Sequence, residues 1–190
     1  MGGRLYPKGK WAVIKEEHTM RFQTYDECNA WIIGSGLKAP SLPTLEDGTH
    51  VLRCVIPFDR LRWFSRYIAK SCGSFDTCLL WPTLAFSDRG VWPSSENMHL
   101  YYRLRQSYGE QRLLSEAPGH LFLNYEFEDL ATFVQLCLMF LWDTYLFTNL
   151  DYVSVLFSHD EFVEFRSTDE ILLTAIHSEL VGARIEILSN

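Results

Sequence analysis

Four consecutive residues, Ser158-His159-Asp160-Glu161, contain the densest chemistry in this sequence. A carboxylate beside an imidazole raises its basicity, and carboxylate oxygens are ligands that divalent ions prefer. The tetrapeptide can therefore supply a general base or a metal ligand to a small hydrolase. Adjacent residues in a tight turn point in different directions, so a solvated hairpin turn is the alternative interpretation.

Other catalytic patterns are missing from the sequence. There is no GxSxG, no HExxH, no Walker-type loop and no GxGxxG after a strand. The cysteines are odd in number and scattered, which predicts reduced thiols and no disulfide framework. Cys72 and Cys78 are the only close pair, and no CxxC and no nearby histidine completes a zinc pattern. We therefore expect no enzymatic activity, no metal and no cofactor.

Charge is distributed unevenly along the chain. Residues 1–112 contain 15 Lys and Arg against 11 Asp and Glu, whereas residues 113–190 contain 2 against 13. An acidic surface attracts a basic partner and repels phosphate backbones, so we expect no direct binding of nucleic acid. Acidic residues also keep a domain soluble, which is the plainer interpretation. The N-terminus lacks a secretory signal and no apolar stretch is long enough for a bilayer, so the chain is predicted to be cytoplasmic without a membrane span.

Hydrophobic periodicity predicts one α+β domain over residues 1–190, with an internal loop at 39–49. Its sheet is expected to be mostly antiparallel, with helices packed on one face. An apolar helix at about residues 129–141 is predicted to be the central buried helix. Three strands with hairpin connections, Trp142–Phe147, Tyr152–Phe157 and Phe162–Phe165, predict an antiparallel meander after it.

The meander combines acidic and aromatic residues, and tyrosine often anchors protein interfaces. Alternation places Asp143 and Tyr145 on one face of their strand, and it places Glu164 beside Arg166 on another. The predicted partner-binding residues are Asp143, Tyr145, Asp151, Tyr152, His159, Asp160, Glu161 and Glu164.

Several segments resemble small bacterial immunity-type proteins, which are encoded beside secreted antibacterial toxins. The segments that carry the resemblance are Gly90–Asn97, Leu100–Arg105, Pro118–Phe122, Trp142-Asp143 and Ser158–Glu161, within about residues 50–167. The resemblance implies a cytosolic, non-enzymatic inhibitor that binds one cognate toxin through acidic and aromatic groups. It assigns no individual residue.

The leading hypothesis is therefore a binding protein whose acidic meander covers the active site of a basic partner, such as a nuclease-type toxin. The first alternative is a small hydrolase or metal-assisted enzyme that uses the Ser158–Glu161 turn. The second is a scaffold or adaptor subunit. The basic helix at Arg60–Lys70 differs from a uniformly acidic decoy and is the next surface to consider.

Overall fold

A computed structural model describes residues 21–37, 49–71, 76–83, 95–148 and 153–189 of the chain. The helices in these ranges are α1 (Tyr25–Gly34), α2 (Leu61–Ser71), α3 (Ser95–Ser107), α4 (Phe127–Met139) and α5 (Glu170–Gly182). The strands are β1 (Arg21–Gln23), β2 (His50–Val55), β3 (Thr77–Pro82), β4 (Gly119–Leu123), β5 (Thr144–Thr148), β6 (Val153–Phe157), β7 (Phe162–Ser167) and β8 (Glu186–Leu188). Of the predicted 39–49 loop, only Thr49 belongs to the described residues.

The described strands form one sheet in the order β1-β4-β3-β5-β6-β7-β2-β8. Each neighbouring pair is antiparallel. The predicted α+β fold with a mostly antiparallel sheet is confirmed, and β5, β6 and β7 form the predicted meander. The meander begins later than predicted, because β5 starts at Thr144 and leaves Asp143 just before the strand.

The main core lies on one face of the sheet, beneath α2, α4 and α5. It takes alternate strand residues such as Leu80, Leu146 and Phe165, and α2 packs against α4 above them. The intervening residues point to the opposite, outer face. There a smaller cluster joins Cys28 and Ile32 of α1 to strand residues. Helices therefore lie on both faces of the sheet, which differs from the predicted one-sided packing.

The position of α1 follows from its local sequence. Thr24 forms a capping box, in which the Glu27 amide donates to Thr24 Oγ1 at 3.3 Å and the Thr24 amide donates to Glu27 Oε2 at 2.7 Å. The helix lies so close to β4 that a Cβ on Gly119 would stand 2.2 Å from Cys28 Sγ. Only glycine permits this approach. The apolar spacing of α1 predicts a buried stripe but does not say which face of the sheet it meets.

Helix α4 is the helix predicted at about residues 129–141, although it begins and ends two residues earlier. Its buried residues are Leu130, Ala131, Phe133, Val134 and Cys137. The last turn differs from a helix buried on all sides, because Met139 is 44% exposed. The helix is therefore buried along one stripe and opens to solvent at its C-terminal end.

A polar pair lies at the centre of the main core. Tyr101 and His120 are both fully buried, and the Tyr101 hydroxyl lies 3.0 Å from His120 Nε2. Burial, with a smaller effect from the nearby Arg105, lowers the pKa of His120 well below 6.5. The imidazole is therefore neutral in the folded protein at neutral pH.

Candidate partner-binding surface

One carboxylate holds the turn between β6 and β7. Asp143 Oδ1 accepts a hydrogen bond from the His159 backbone amide at 2.7 Å and lies 2.9 Å from His159 Nδ1. The Asp143 side chain is 12% exposed and is carried on the segment before β5, the strand next to β6. Hydrogen bonds to an ionised acceptor are stronger than neutral ones, so Asp143 fixes both the backbone and the ring of His159.

The turn is also closed internally. The Ser158 amide donates to the Phe162 carbonyl at 2.9 Å, and the Asp160 amide donates to Ser158 Oγ at 3.2 Å. Glu161 has a φ of 66°, in the left-handed region that hairpin bulges usually fill with glycine. The turn therefore has a defined conformation that includes one unfavourable backbone angle.

Three of the predicted binding residues are presented to solvent by this turn. The side chains of His159 and Asp160 are 56% and 69% exposed, and His159 Nε2 lies 3.4 Å from Asp160 Oδ1. Glu161 is exposed and makes no ion pair with another described residue. The structure brings His159, Asp160 and Glu161 together with Asp143 behind them.

Glu164 has a different environment, at the middle of β7 on the outer face. Its side chain is 1% exposed and lies between two arginines. Arg53 Nε of β2 donates to Glu164 Oε2 at 2.6 Å, and Arg166 Nε contacts Glu164 Oε1. The negative charge of Glu164 is therefore offset inside the sheet and is separated from the exposed acids of the turn.

Tyr145 also lies on the outer face, in the middle of β5. The strand register aligns Tyr145, Leu156, Glu164 and Arg53 in one row across β5, β6, β7 and β2. The Tyr145 ring is partly buried and stacks on Phe147 at a centroid distance of 5.8 Å, and burial raises its pKa. Tyr145 therefore lies in the same row of the outer face as Glu164 and does not belong to the β6–β7 turn. The last two predicted binding residues, Asp151 and Tyr152, lie outside the described residues.

An apolar cavity of about 320 Å³ lies beside the turn and was not predicted from the sequence. Its lining includes Phe58 after β2, Met139 and Leu141 at the end of α4, and Glu161 of the turn itself. Met139 and Leu141 belong to an apolar run that periodicity assigned to the core. The sequence therefore carried no signal that this end of the helix is open.

Much of the acidic segment 113–190 is engaged in internal contacts. Glu128 of α4 pairs with Arg66 of α2 at 2.8 Å, which also engages part of the basic helix at 60–70. Glu126 accepts from the Leu123 amide at 2.7 Å, and Asp169 caps the amides at the start of α5. Of these acids, only Glu128 has its charge offset by a cation, whereas Glu126 and Asp169 keep theirs.

The thiols of the described cysteines lie in the interior of the fold. Cys28, Cys54, Cys78 and Cys137 are buried and form no disulfide, and Cys72 lies outside the described residues. Burial raises the pKa of the Cys28, Cys54 and Cys137 thiols to about 12, which keeps them protonated. In the part of the chain that the structure describes, no three His, Cys, Asp or Glu residues converge as a metal site.

Among the described helices, none combines the length and the apolar character needed to cross a bilayer. Comparisons with family models, with curated proteins and with solved structures found no match to this chain.

Proposed function

We propose that this chain is a non-enzymatic binding protein that acts in the cytoplasm and neutralises a cognate toxin by covering its active site. The contact surface is the β6–β7 turn, and the partner presents basic groups to it, as a nuclease-type toxin does. The immunity-type resemblance and the reduced, buried thiols agree with this proposal.

The observation that carries the proposal is the fixed presentation of exposed acids by a buried carboxylate. Asp143 holds the amide and ring of His159, and this contact orders the turn that displays Asp160 and Glu161. A preorganised turn loses less conformational freedom on binding than a flexible loop. Because the two exposed acids are adjacent, they attract a basic partner during its approach.

The test is co-expression with the product of the reading frame that neighbours the gene for this chain. We expect the neighbour alone to arrest growth, this chain to restore growth, and the two purified proteins to bind. Failure of the chain to bind the neighbour or to restore growth would contradict the proposal.

Charge reversal tests the assigned surface. Asp160→Lys combined with Glu161→Lys should slow association about tenfold at low salt and weaken its salt dependence, because exposed charges act on encounter rates. Asp26→Lys combined with Glu179→Lys is the matched control, since both acids are exposed on α1 and α5, neither lines the cavity beside the turn, and the change in net charge is equal. Stopped-flow measurements should show little change for the control. Equal slowing by both double variants would indicate that only the total charge matters.

One observation favours a second function, a small hydrolase with His159 as its general base. Asp143 Oδ1 lies 2.9 Å from Nδ1, the position from which a carboxylate orients a catalytic imidazole. Isothermal titration of Mg²⁺ and Zn²⁺ tests its metal-assisted form, in which wild type should bind one ion and His159→Asn none. Stoichiometric binding that depends on His159 would favour the enzyme over the inhibitor.

A further inference from the structure

We propose that the cavity beside the β6–β7 turn receives a single large apolar side chain from a basic segment of a protein partner. The proposal rests on the proposed binding function and names the chemistry of the partner. An apolar residue would enter the cavity, and flanking lysines or arginines would pair with the turn.

The lining of the cavity favours an apolar occupant. The cavity volume is about 320 Å³, and the wall includes Val55, Ile56, Phe58, Leu61, Leu138 and Phe162. Polar groups come from Ser158 and Glu161, on the turn side. Interface energy is usually concentrated where an aromatic or aliphatic side chain fills such a depression.

Large apolar side chains are exposed around this cavity. Phe58 is 82% exposed and Met139 is 44% exposed, although both belong to its lining. Single exposed apolar residues are common, but here two of them line the same cavity. A partner that covers Phe58 and Met139 would remove this surface from water.

Backbone geometry distinguishes the same cavity. Leu141 and Glu161 have φ values of 53° and 66°, a region in which residues other than glycine are disfavoured. Leu141 follows the C-cap of α4, a position usually taken by glycine. Both residues belong to the lining of the cavity. Unfavourable backbone angles concentrate at binding sites, and two of the three described non-glycine residues with a positive φ line this cavity, the third being Arg184 before β8.

The charges beside the cavity determine the flanking residues of the occupant. Asp160 and Glu161 are exposed at one side. On the other side of the cavity, Asp59 and Arg60 follow Phe58. Asp59 Oδ2 lies 3.9 Å from Arg60 Nε, so the two charges offset each other. The excess charge of these groups is negative, which selects a segment with lysine or arginine beside its apolar residue.

Two labelled heptapeptides provide the probe, Gly-Lys-Lys-Phe-Lys-Lys-Gly and the same peptide with Ser in place of Phe. Fluorescence anisotropy should show at least tenfold tighter binding of the Phe peptide, because burial of a phenyl ring is worth at least that factor. NMR spectra of the methyl groups should show the largest shifts at Leu138, Met139 and Val163. Equal affinities of the two peptides, or shifts confined to other residues, would overturn the proposal.

Variants locate the binding. Phe58→Ala should weaken the Phe peptide several-fold, whereas Ile171→Ala, at a side chain that is 83% exposed on α5, should not. Glu161→Gly removes the carboxylate and suits the positive φ, so it should weaken both peptides equally without loss of fold. An unchanged affinity of Phe58→Ala for the Phe peptide would overturn the proposal even if Glu161→Gly weakens binding.

The remaining outcomes identify another occupant. If light scattering shows a wild-type dimer that Phe58→Ala dissociates, a second copy fills the cavity and the proposal is wrong. If removal of residues 1–20 tightens peptide binding tenfold, this chain covers its own cavity, which also overturns the proposal.

Peptide discrimination without binding of the neighbouring gene product would support the cavity and contradict the proposed toxin. If the neighbouring gene product binds and Phe58→Ala does not weaken its binding, the proposed toxin would be supported and the proposed role of the cavity would be contradicted.

Discussion

The interior of the fold and the β6–β7 turn each contain a histidine and a glutamate, but in different environments. In the interior, His120 of β4 is fully buried beside Tyr101 on the main-core face, and Glu164 of β7 lies between two arginines on the outer face. At the turn, His159 and Glu161 are exposed. The two interior residues contact only other parts of the fold, whereas the two turn residues are presented to solvent.

This difference shows that residue type in the acidic meander does not determine charge at the surface. Glu161 and Glu164 are three positions apart, yet only Glu164 meets cations from two strands. The deciding factor is the pairing of β7 with β2, which brings Arg53 opposite Glu164. The two regions can therefore be separated by mutations, beginning with the interior.

The largest expected effect is at Phe133, whose ring centroid lies 4.7 Å from that of His120. Phe133→Ala should lower the free energy of unfolding by about 3–5 kcal/mol, because the lost apolar contacts leave a cavity. Thr132→Ala, on the exposed side of the same helix, should change it by less than about 0.5 kcal/mol. Urea denaturation measures both. Equal losses would contradict the one-sided burial of α4.

A smaller loss is expected at Glu164. Arg166 is nearly buried, and Glu164→Ala removes its carboxylate partner. Removing one partner of a fully buried ion pair typically lowers the free energy of unfolding by about 3–5 kcal/mol. We expect about 2–3 kcal/mol here, because the Arg53 side chain is 46% exposed and water solvates it. Glu186→Ala, at an exposed position of β8 on the same face, is the control. A change below about 0.5 kcal/mol for Glu164→Ala would show that Glu164 contributes no more to stability than an exposed acid of the turn.

Acid titration tests the burial of His120. The folded-state pKa of His120 lies below the unfolded value, so the unfolded chain binds the proton first as the pH falls. This contribution to stability is fully present above pH 6.5 and is lost as the pH falls below that value. The expected slope is about 1.4 kcal/mol per pH unit. Urea denaturation between pH 7.5 and 5 should show that His120→Gln loses this slope. If His120→Gln kept the wild-type slope, a group other than His120 would cause the pH dependence of stability.

The smallest expected effect is at Asp143. Asp143→Asn keeps one acceptor oxygen but loses the charge, so we expect a loss of about 1 kcal/mol. Hydrogen exchange at the His159 amide should accelerate, because that amide donates to Asp143. Asp160→Asn should leave this exchange rate unchanged. Similar rates in wild type and Asp143→Asn would show that the turn is ordered without the carboxylate.

Local patterns were sufficient to predict much of the fold. The meander was predicted because its connections are short and contain turn residues, and α4 was predicted from a long apolar run. The insertion of β2 between β7 and β8 was not predicted, since no local pattern specifies which distant strand completes a sheet. The arginine partners of Glu164 were missed in part for the same reason, because Arg53 is 111 positions away.

The candidate surface was predicted in part. The exposed Ser158–Glu161 turn follows from its composition, but the role of Asp143 depends on where β5 begins, and alternation misplaced that start by two residues. The cavity depends on how the end of α4 meets the loop after β2. Hydrophobicity alone does not distinguish a covered apolar side chain from one that lines an opening.

The position of β2 has a consequence for the order of events during synthesis. Residues 50–55 leave the ribosome early, but both neighbours of this strand, β7 and β8, are made only when residues 162–188 appear. Contacts between distant parts of a chain form slowly, and an unpaired strand can associate with other chains while it waits. We therefore expect the nascent protein to depend on protection of the His50–Val55 segment until residues 162–188 have been synthesised.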